Sequence, residues 1–208
     1  MIAIIDYGAG NIFSVKNALD YLGLENQLTD DISCIEQADR IILPGVGAFP
    51  AAMKMLEQKN LISILKEQAQ KKPLLGICLG MQMLLTKSYE FEECDGLDLI
   101  PGTVDKIPVQ DRIIPHMGWN ALEIQNPCAL LENLGDSPYV YFVHSYMANC
   151  ENRNHLSAWV DYGCQVPAVI TDGKYVFGTQ YHPEKSGEVG LQILRNFAAL
   201  DVLERVLL

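Results

Sequence analysis

The chain is short of positive charge. Its 15 Lys and Arg stand against 26 Asp and Glu, a formal net charge of −11 at pH 7. Nucleic acids and anionic membranes attract clustered cations, so this balance speaks against both as partners. Long apolar runs are also missing, and none approaches the roughly 18 to 20 residues that a membrane-spanning helix needs. The opening "MIAIIDYGAG" has neither the basic segment nor the small-residue cleavage site of a signal peptide. A soluble, unexported, cytoplasmic protein is therefore expected. The six cysteines, at 34, 78, 94, 128, 150 and 164, form no C-x-x-C pair or other close spacing, which excludes the usual metal and redox motifs. In a reducing compartment they would stay thiols. No Walker loop, dinucleotide fingerprint or zinc set is found, and Gly8-Ala9-Gly10 is too short to count as one. Neither a metal nor a cofactor is expected. Repeats, low-complexity tracts and Pro/Ser-rich linkers are absent too, so residues 1–208 read as a single domain.

What remains is a chain able to build a sizeable core, 49% hydrophobic and 20% charged over 208 residues. Its first half repeats one pattern. The run "IAIID" ends at a glycine turn, after which Ile12, Val15, Leu19 and Leu22 recur at helical spacing, with Asn11 as the expected cap. "RIILPGVGAFP" is a strand and a turn, followed by a helix from Pro50 to Lys59. A further helix from Leu61 to Lys72 leads into the strand "PLLGIC". Strands alternating with helices predict an α/β fold with a mostly parallel central sheet flanked by helices. In such sheets ligands bind beyond the carboxyl ends of the strands. Gly8 to Asn11, Pro44 to Gly47 and Cys78 to Gln82 should therefore share one edge. The second half, with "YVYFVHSY", "LSAWV", "PAVIT" and "YVFGTQYHP" between turn residues, predicts an added mixed or antiparallel sheet region. A final helix is expected from about 189 to 200, with Leu191, Leu194, Phe197 and Ala198 on one side.

"GICLG", residues 76–80, has the form of a nucleophile elbow, a strand turning sharply into a helix with the reactive residue at the bend. Unpaired N–H groups at a helix start favour the thiolate, and the Leu79 amide could face a developing oxyanion. Read alone, the same five residues serve a small packed cysteine between glycines equally well. A nucleophile needs a base, and of His116, His144, His155 and His182 the last is best placed. In "GTQYHPE" it follows a strand, and Glu184 two residues on could hold its far ring nitrogen. A plain surface turn is the alternative reading of H-P-E. The "LPGVG" turn at 43–47 could supply a second oxyanion donor or simply lead into the next helix.

With "PGVG" at 44–47, "GICLGMQ" at 76–82 and "HPE" at 182–184 in this order, the chain resembles the class I, triad-type glutamine amidotransferases over nearly its whole length. The resemblance implies a flavodoxin-like core and hydrolysis of glutamine to glutamate and ammonia through a γ-glutamyl thioester. It makes Cys78 the nucleophile, His182 the base and then acid, and Glu184 the orienting carboxylate. The oxyanion hole would come from Leu79 and the Val46–Gly47 turn. Gln82, Ser145 and Tyr146 would bind the substrate. The segments "DYGAGN", "PHMGWN" and "YFVHSY", with Met81 where anthranilate-type relatives usually carry His, resemble the glutaminases of histidine biosynthesis. These supply ammonia to a separate cyclase subunit with a (β/α)8 barrel, which implies a heterodimer. On that resemblance Asn11, Trp119, Asn120, Tyr141 and Lys185 would face the partner. The residues alone fit Trp119 equally as a core aromatic or, with the polar string from His116 to Asn120 around it, as a docking surface, and leave Asn11 as a helix cap and Lys185 as a solvated charge. A paralogous glutaminase serving another synthase, and a non-catalytic binding subunit, stand as alternatives.

Overall fold

The computed structural model describes residues 1–200 of the chain. Its first half runs β1 (Ile2–Ile5), α1 (Ile12–Tyr21), β2 (Asn26–Thr29), α2 (Ile32–Gln37), β3 (Arg40–Gly45), α3 (Phe49–Gln58), α4 (Leu61–Gln68), β4 (Leu74–Cys78) and α5 (Leu79–Met83). The strands β5 (Leu85–Ser88), β6 (Cys94–Asp95), β7 (Ile100–Lys106), β8 (His116–Ala121), β9 (Glu123–Ile124) and β10 (Tyr139–His144) follow. Then come β11 (Tyr146–Cys150), β12 (Leu156–Asp161), β13 (Gln165–Thr171), β14 (Val176–Thr179) and α6 (Gly187–Ala199).

The main sheet has eight strands in the order β2-β1-β3-β4-β14-β13-β12-β9. From β2 to β14 every pairing is parallel, and β13, β12 and β9 extend the sheet antiparallel. A pair, β10-β8, and a small sheet, β11-β7-β5-β6, lie beside it. This is the mostly parallel sheet with an added mixed region that the sequence predicts. Strands covered on both faces need apolar side chains at every position rather than at alternate ones. The strands "IAII" and "LLGIC" are indeed buried throughout. Successive residues still point to opposite faces. Ile5, Leu43 and Leu74 join one core with Phe49, Leu56 and Leu65 of α3 and α4. Ile4, Ile42 and Leu75 join the other with Val15 and Leu19 of α1 and Phe197 of α6.

Several local expectations shift. Asn11 stands at the start of α1 but makes no side-chain cap. Its Oδ1 accepts from the Ser14 hydroxyl at 2.7 Å instead, and its Nδ2 points at Glu184 Oε1, 3.5 Å away. The helix expected from 61 to 72 stops at Gln68. Lys72 turns back, is only 7% exposed and donates to the carbonyls of Ile35, Glu36 and Ala38 at 3.2, 2.7 and 2.6 Å. "YVYFVHSY" is two strands, β10 and β11, in different sheets with Ser145 between them. The strand expected in "YVFGTQYHP" ends at Thr179, and residues 183–185 form a turn of 3-10 helix. Because β1, β3, β4 and β14 run parallel, the segments after their carboxyl ends emerge on one edge. Gly8 to Asn11, the 44–47 turn, Cys78 and His182 meet there. Among the described residues no helix is long and apolar enough to cross a membrane.

Candidate active site

Cys78 ends β4 and precedes α5 with φ 56° and ψ −111°, a left-handed conformation that costs a non-glycine residue roughly 1–3 kcal/mol. Strain of this kind marks an elbow whose shape matters more than its local stability. The flanking glycines are dictated by contact. A Cβ on Gly80 would lie 1.8 Å from the Leu43 carbonyl oxygen, and one on Gly76 would lie 2.6 Å from the Gly80 carbonyl carbon. Strand, elbow and neighbouring strand are thus in backbone contact. The helix that opens at Cys78 has only five residues. Its dipole is accordingly small, so local N–H groups matter here more than the long helix that the dipole argument assumes.

His182 and Glu184 are brought together as expected. His182 Nδ1 lies 2.8 Å from Glu184 Oε1, and the two side chains are 2% and 0% exposed. The H-P-E segment is therefore no solvent-facing turn. Burial pushes the His182 pKa down, but Cys78 and Glu184 outweigh it and raise the value to about 9. The second ring nitrogen, Nε2, is buried without an ideal hydrogen-bond partner in the resting chain. It is near enough to Cys78 for the sulfur to favour the imidazolium. A sulfur nucleophile, an imidazole beside it and a carboxylate on the far ring nitrogen is the geometry of acyl transfer.

These groups open onto a cavity of about 510 Å³, lined by Val46, Gly47, Cys78, Leu79, Gln82 and Glu90, and by Ser145, Tyr146, His182 and Lys185 among others. All the oxyanion and substrate-binding candidates thus share one cavity with Cys78. Gly47 has φ 97°, and Val46 beside it is 41% exposed. Glu184 sits behind His182, with Asn11 reaching its Oε1. Of the other partner-facing candidates, Lys185 lies in the 183–185 turn, and Trp119, Asn120 and Tyr141 lie on the β8–β10 pair, where Trp119 is opposite Tyr141 with ring centroids 5.9 Å apart. Trp119 is 53% exposed, which removes the core-aromatic reading. Tyr141 also touches the His182 segment, its carbonyl accepting from the His182 amide at 3.1 Å.

Three contributors escape the sequence reading. Glu90, 7% exposed, places a buried carboxylate in the cavity wall and accepts from the Phe49 amide at 2.7 Å. Tyr7 donates from its hydroxyl to the Pro44 carbonyl at 3.0 Å, bracing the 44–47 turn. Burial, with the Cys78 sulfur adding to it, raises the Tyr7 pKa. Gln180, fully buried, approaches Cys78 Sγ with its Nε2 at 3.8 Å. Tyr7 lies inside "DYGAGN" and Gln180 inside "GTQYHPE", where proximity to His182 was a usable signal; Glu90 lies in neither.

Comparison with known proteins gives the family and the fold. Residues 3–200 match the family model described as glutamine amidotransferase class-I. A curated relative from Bacillus mycoides (strain KBAB4), called imidazole glycerol phosphate synthase subunit HisH, is 52% identical over 198 residues, covering 95% of this chain and 93% of that protein. A protein of the same name from Bacillus thuringiensis subsp. konkukian (strain 97-27) is 51% identical over the same shares. A solved glutamine amidotransferase has a similar fold, with TM-score 0.75 at 19% identity, over 96% of this chain and 99% of that one.

Proposed function

The chain belongs to the class I glutamine amidotransferases, and on that premise we propose that it is the glutaminase subunit of an imidazole glycerol phosphate synthase. In this role it hydrolyses glutamine and hands the ammonia on for imidazole ring formation in histidine biosynthesis. The partner is a cyclase subunit with a (β/α)8 barrel, joined as a heterodimer across the Trp119, Asn120, Tyr141, Asn11 and Lys185 surface, in the cytoplasm. The observation that carries the reading is the buried His182–Glu184 pair facing Cys78 at its strained elbow. Identity of 52% over 95% of the chain favours this acceptor over a paralogous one.

The reaction follows from the geometry. The thiolate of Cys78 attacks the side-chain amide carbon of glutamine. The oxygen that becomes negative is met by the backbone amides of Leu79 and the Val46–Gly47 turn. Collapse of the tetrahedral species needs a proton on the departing nitrogen, and the His182 imidazolium gives it, so ammonia leaves and a thioester remains. His182, now neutral and held by Glu184, takes a proton from water. The resulting hydroxide attacks the thioester, the sulfur leaves as the thiolate beside the re-formed His182 imidazolium, and the new carboxyl group gives its proton to solvent as glutamate departs. The buried carboxylate of Glu90 suits the substrate's α-ammonium, while backbone groups around Ser145 and Tyr146 suit its α-carboxylate.

The 44–47 turn carries a gate. If the Val46 peptide directs its carbonyl into the site in the free subunit, one donor is missing until partner and ligand turn it. Glutamate release is to be measured for the chain alone, with the cyclase, and with cyclase plus nucleotide ligand. Release should climb along that series, and equal rates in all three refute the gate. The function itself is tested with Cys78→Ala in the reconstituted complex. Glutamine-dependent turnover should vanish while ammonia-dependent turnover survives, and retained glutamine use removes Cys78 as nucleophile.

A further inference from the structure

Behind the cavity wall runs a chain of polar groups that the triad does not use. His144 Nδ1 lies 2.8 Å from the Tyr146 carbonyl oxygen, and His144 Nε2 lies 3.0 Å from His116 Nδ1. His116 Nε2 is in turn 2.9 Å from Asn120 Oδ1. The same Tyr146 carbonyl accepts from Gln82 Nε2 at 3.0 Å, and Gln82 Nε2 also donates to Gln180 Oε1 at 3.0 Å. Gln180 Nε2 then faces Cys78 Sγ at 3.8 Å. His116 and His144 are 0% and 6% exposed, and His116 is stacked between Phe142 and Tyr162 at centroid distances of 4.7 and 3.9 Å.

The direction of each bond is determined by what the groups can do. A carbonyl oxygen only accepts, so His144 must carry its proton on Nδ1. Burial, opposed in part by the Tyr146 carbonyl, holds the His144 pKa down at about 3, so that ring has one proton and its Nε2 must accept. His116 Nδ1 is therefore a donor. Burial lowers the His116 pKa, with the Asn120 contact opposing it, and a neutral ring whose proton sits on Nδ1 has Nε2 as an acceptor. The Asn120 amide supplies the matching donor when its nitrogen faces the ring, a half-turn that exchanges two similar atoms. On the other side, both N–H groups of Gln82 are committed. The Gln180 oxygen is thereby held toward Gln82, and its N–H₂ toward the sulfur.

We propose that His144 is a positioning residue for the nucleophile: as a neutral donor from Nδ1 it clamps the Tyr146 carbonyl, which through Gln82 and Gln180 keeps an N–H aimed at Cys78. His116 fixes the tautomer of His144 and ties the chain to β8, the strand that bears the exposed Trp119. The inference rests on Cys78 being the nucleophile, as assigned above.

The two amide replacements of histidine separate this role from simple filling of the wall, because Asn places its N–H₂ near the Nδ1 position and Gln places its own near Nε2. The readouts are kcat and KM for glutamine in the reconstituted complex, and the rate at which iodoacetamide alkylates Cys78, followed by peptide mass spectrometry at fixed pH. His144→Asn should stay within about threefold of the wild type. His144→Gln and Gln180→Met should each lose about tenfold in kcat and in alkylation rate, the size of one hydrogen bond to a charged group, with KM changing far less. The double variant should be no slower than either alone, since both act through one contact. Equal losses for Asn and Gln at 144, an effect confined to KM, or losses that multiply in the double variant overturn the proposal. Gln180→Met touches neither histidine, so it decides the matter even if His144→Gln folds poorly. Glutamine hydrolysis surviving in Cys78→Ala would instead overturn the nucleophile assignment.

Discussion

Alanine in place of glycine inside a helix normally stabilises, by about 1 kcal/mol, because the unfolded chain loses freedom and the helix gains propensity. Gly80→Ala in α5 should do the reverse. The added Cβ would sit 1.8 Å from the Leu43 carbonyl oxygen, against a normal carbon–oxygen approach of about 3.3 Å. Relief requires roughly 1.5 Å of movement between β3 and the elbow, measured against that same approach distance. No easy retreat exists. Cβ positions built on Gly45 and Gly76 already fall 2.7 Å from the Gly80 nitrogen and 2.6 Å from its carbonyl carbon, so the elbow is boxed by backbone on three sides. Overpacking typically costs 1–3 kcal/mol where side chains can yield. With only backbone to yield, a loss of about 4 kcal/mol is expected, a large part of a typical domain's 5–15 kcal/mol. Urea denaturation followed by circular dichroism measures it, and glutamate release by whatever folded protein remains reports the elbow. Displacing the sulfur by about 1 Å should remove on the order of 10²-fold in rate. A variant within about 1 kcal/mol of the wild type that retains its activity would refute the close-packing argument.

Other perturbations test the electrostatics and the caps. A proton NMR titration should place the His182 ring midpoint near 9, and Cys78→Ala should lower it, because without the sulfur burial opposes only Glu184; an unmoved midpoint would show that Cys78 contributes nothing. Acidification should destabilise the fold through His144. Its folded pKa of about 3 lies below the unfolded value near 6.5, so stability falls as pH drops through that window, by about 2 kcal/mol from pH 7 to 5. His182, raised to about 9, has the opposite sign. Its contribution is complete below about 6.5 and fades as pH climbs through 9, which offsets about 0.8 kcal/mol of the loss between pH 7 and 5. Urea midpoints of wild type and His144→Asn at both pH values isolate the His144 share, and parallel behaviour of the two proteins would contradict it. Lys72→Met should cost about 1–3 kcal/mol by leaving the carbonyls of Ile35, Glu36 and Ala38 without their donor, and an unchanged denaturation midpoint would count against that role.

Much of the fold was legible because it depends on local pattern. Apolar runs without alternation, such as "IAII" and "LLGIC", mark strands covered on both faces, and their alternation with helical segments implies a parallel sheet. That in turn predicts which turns share an edge. The local errors have equally local causes. Asn11 is a good capping residue, but Ser14 and Glu184 compete for its side chain. Lys72 follows a helical pattern, yet the carbonyl ends of α2 lie close enough to draw its chain out of the helix. Ser145 interrupts an unbroken β-rich run because its two sides pair with different strands, β8 and β7.

The sequence by itself determined the chemistry on offer: a cysteine between glycines, a histidine two residues before a glutamate, a glycine turn, and an order along the chain matched by one family. Covalent order is enough for that, because a motif is a local arrangement of backbone and side chain. Only the tertiary structure decided which groups act together. Glu90 enters the cavity, Tyr7 reaches Pro44, and His116 of "PHMGWN" and His144 of "YFVHSY" connect a surface strand to Cys78. The links from His116 to His144 and from Gln180 to Cys78 join residues 28 and 102 positions apart, and hydrogen-bond direction at such distances is set by burial and by neighbouring carbonyls. No spacing along the chain records either one.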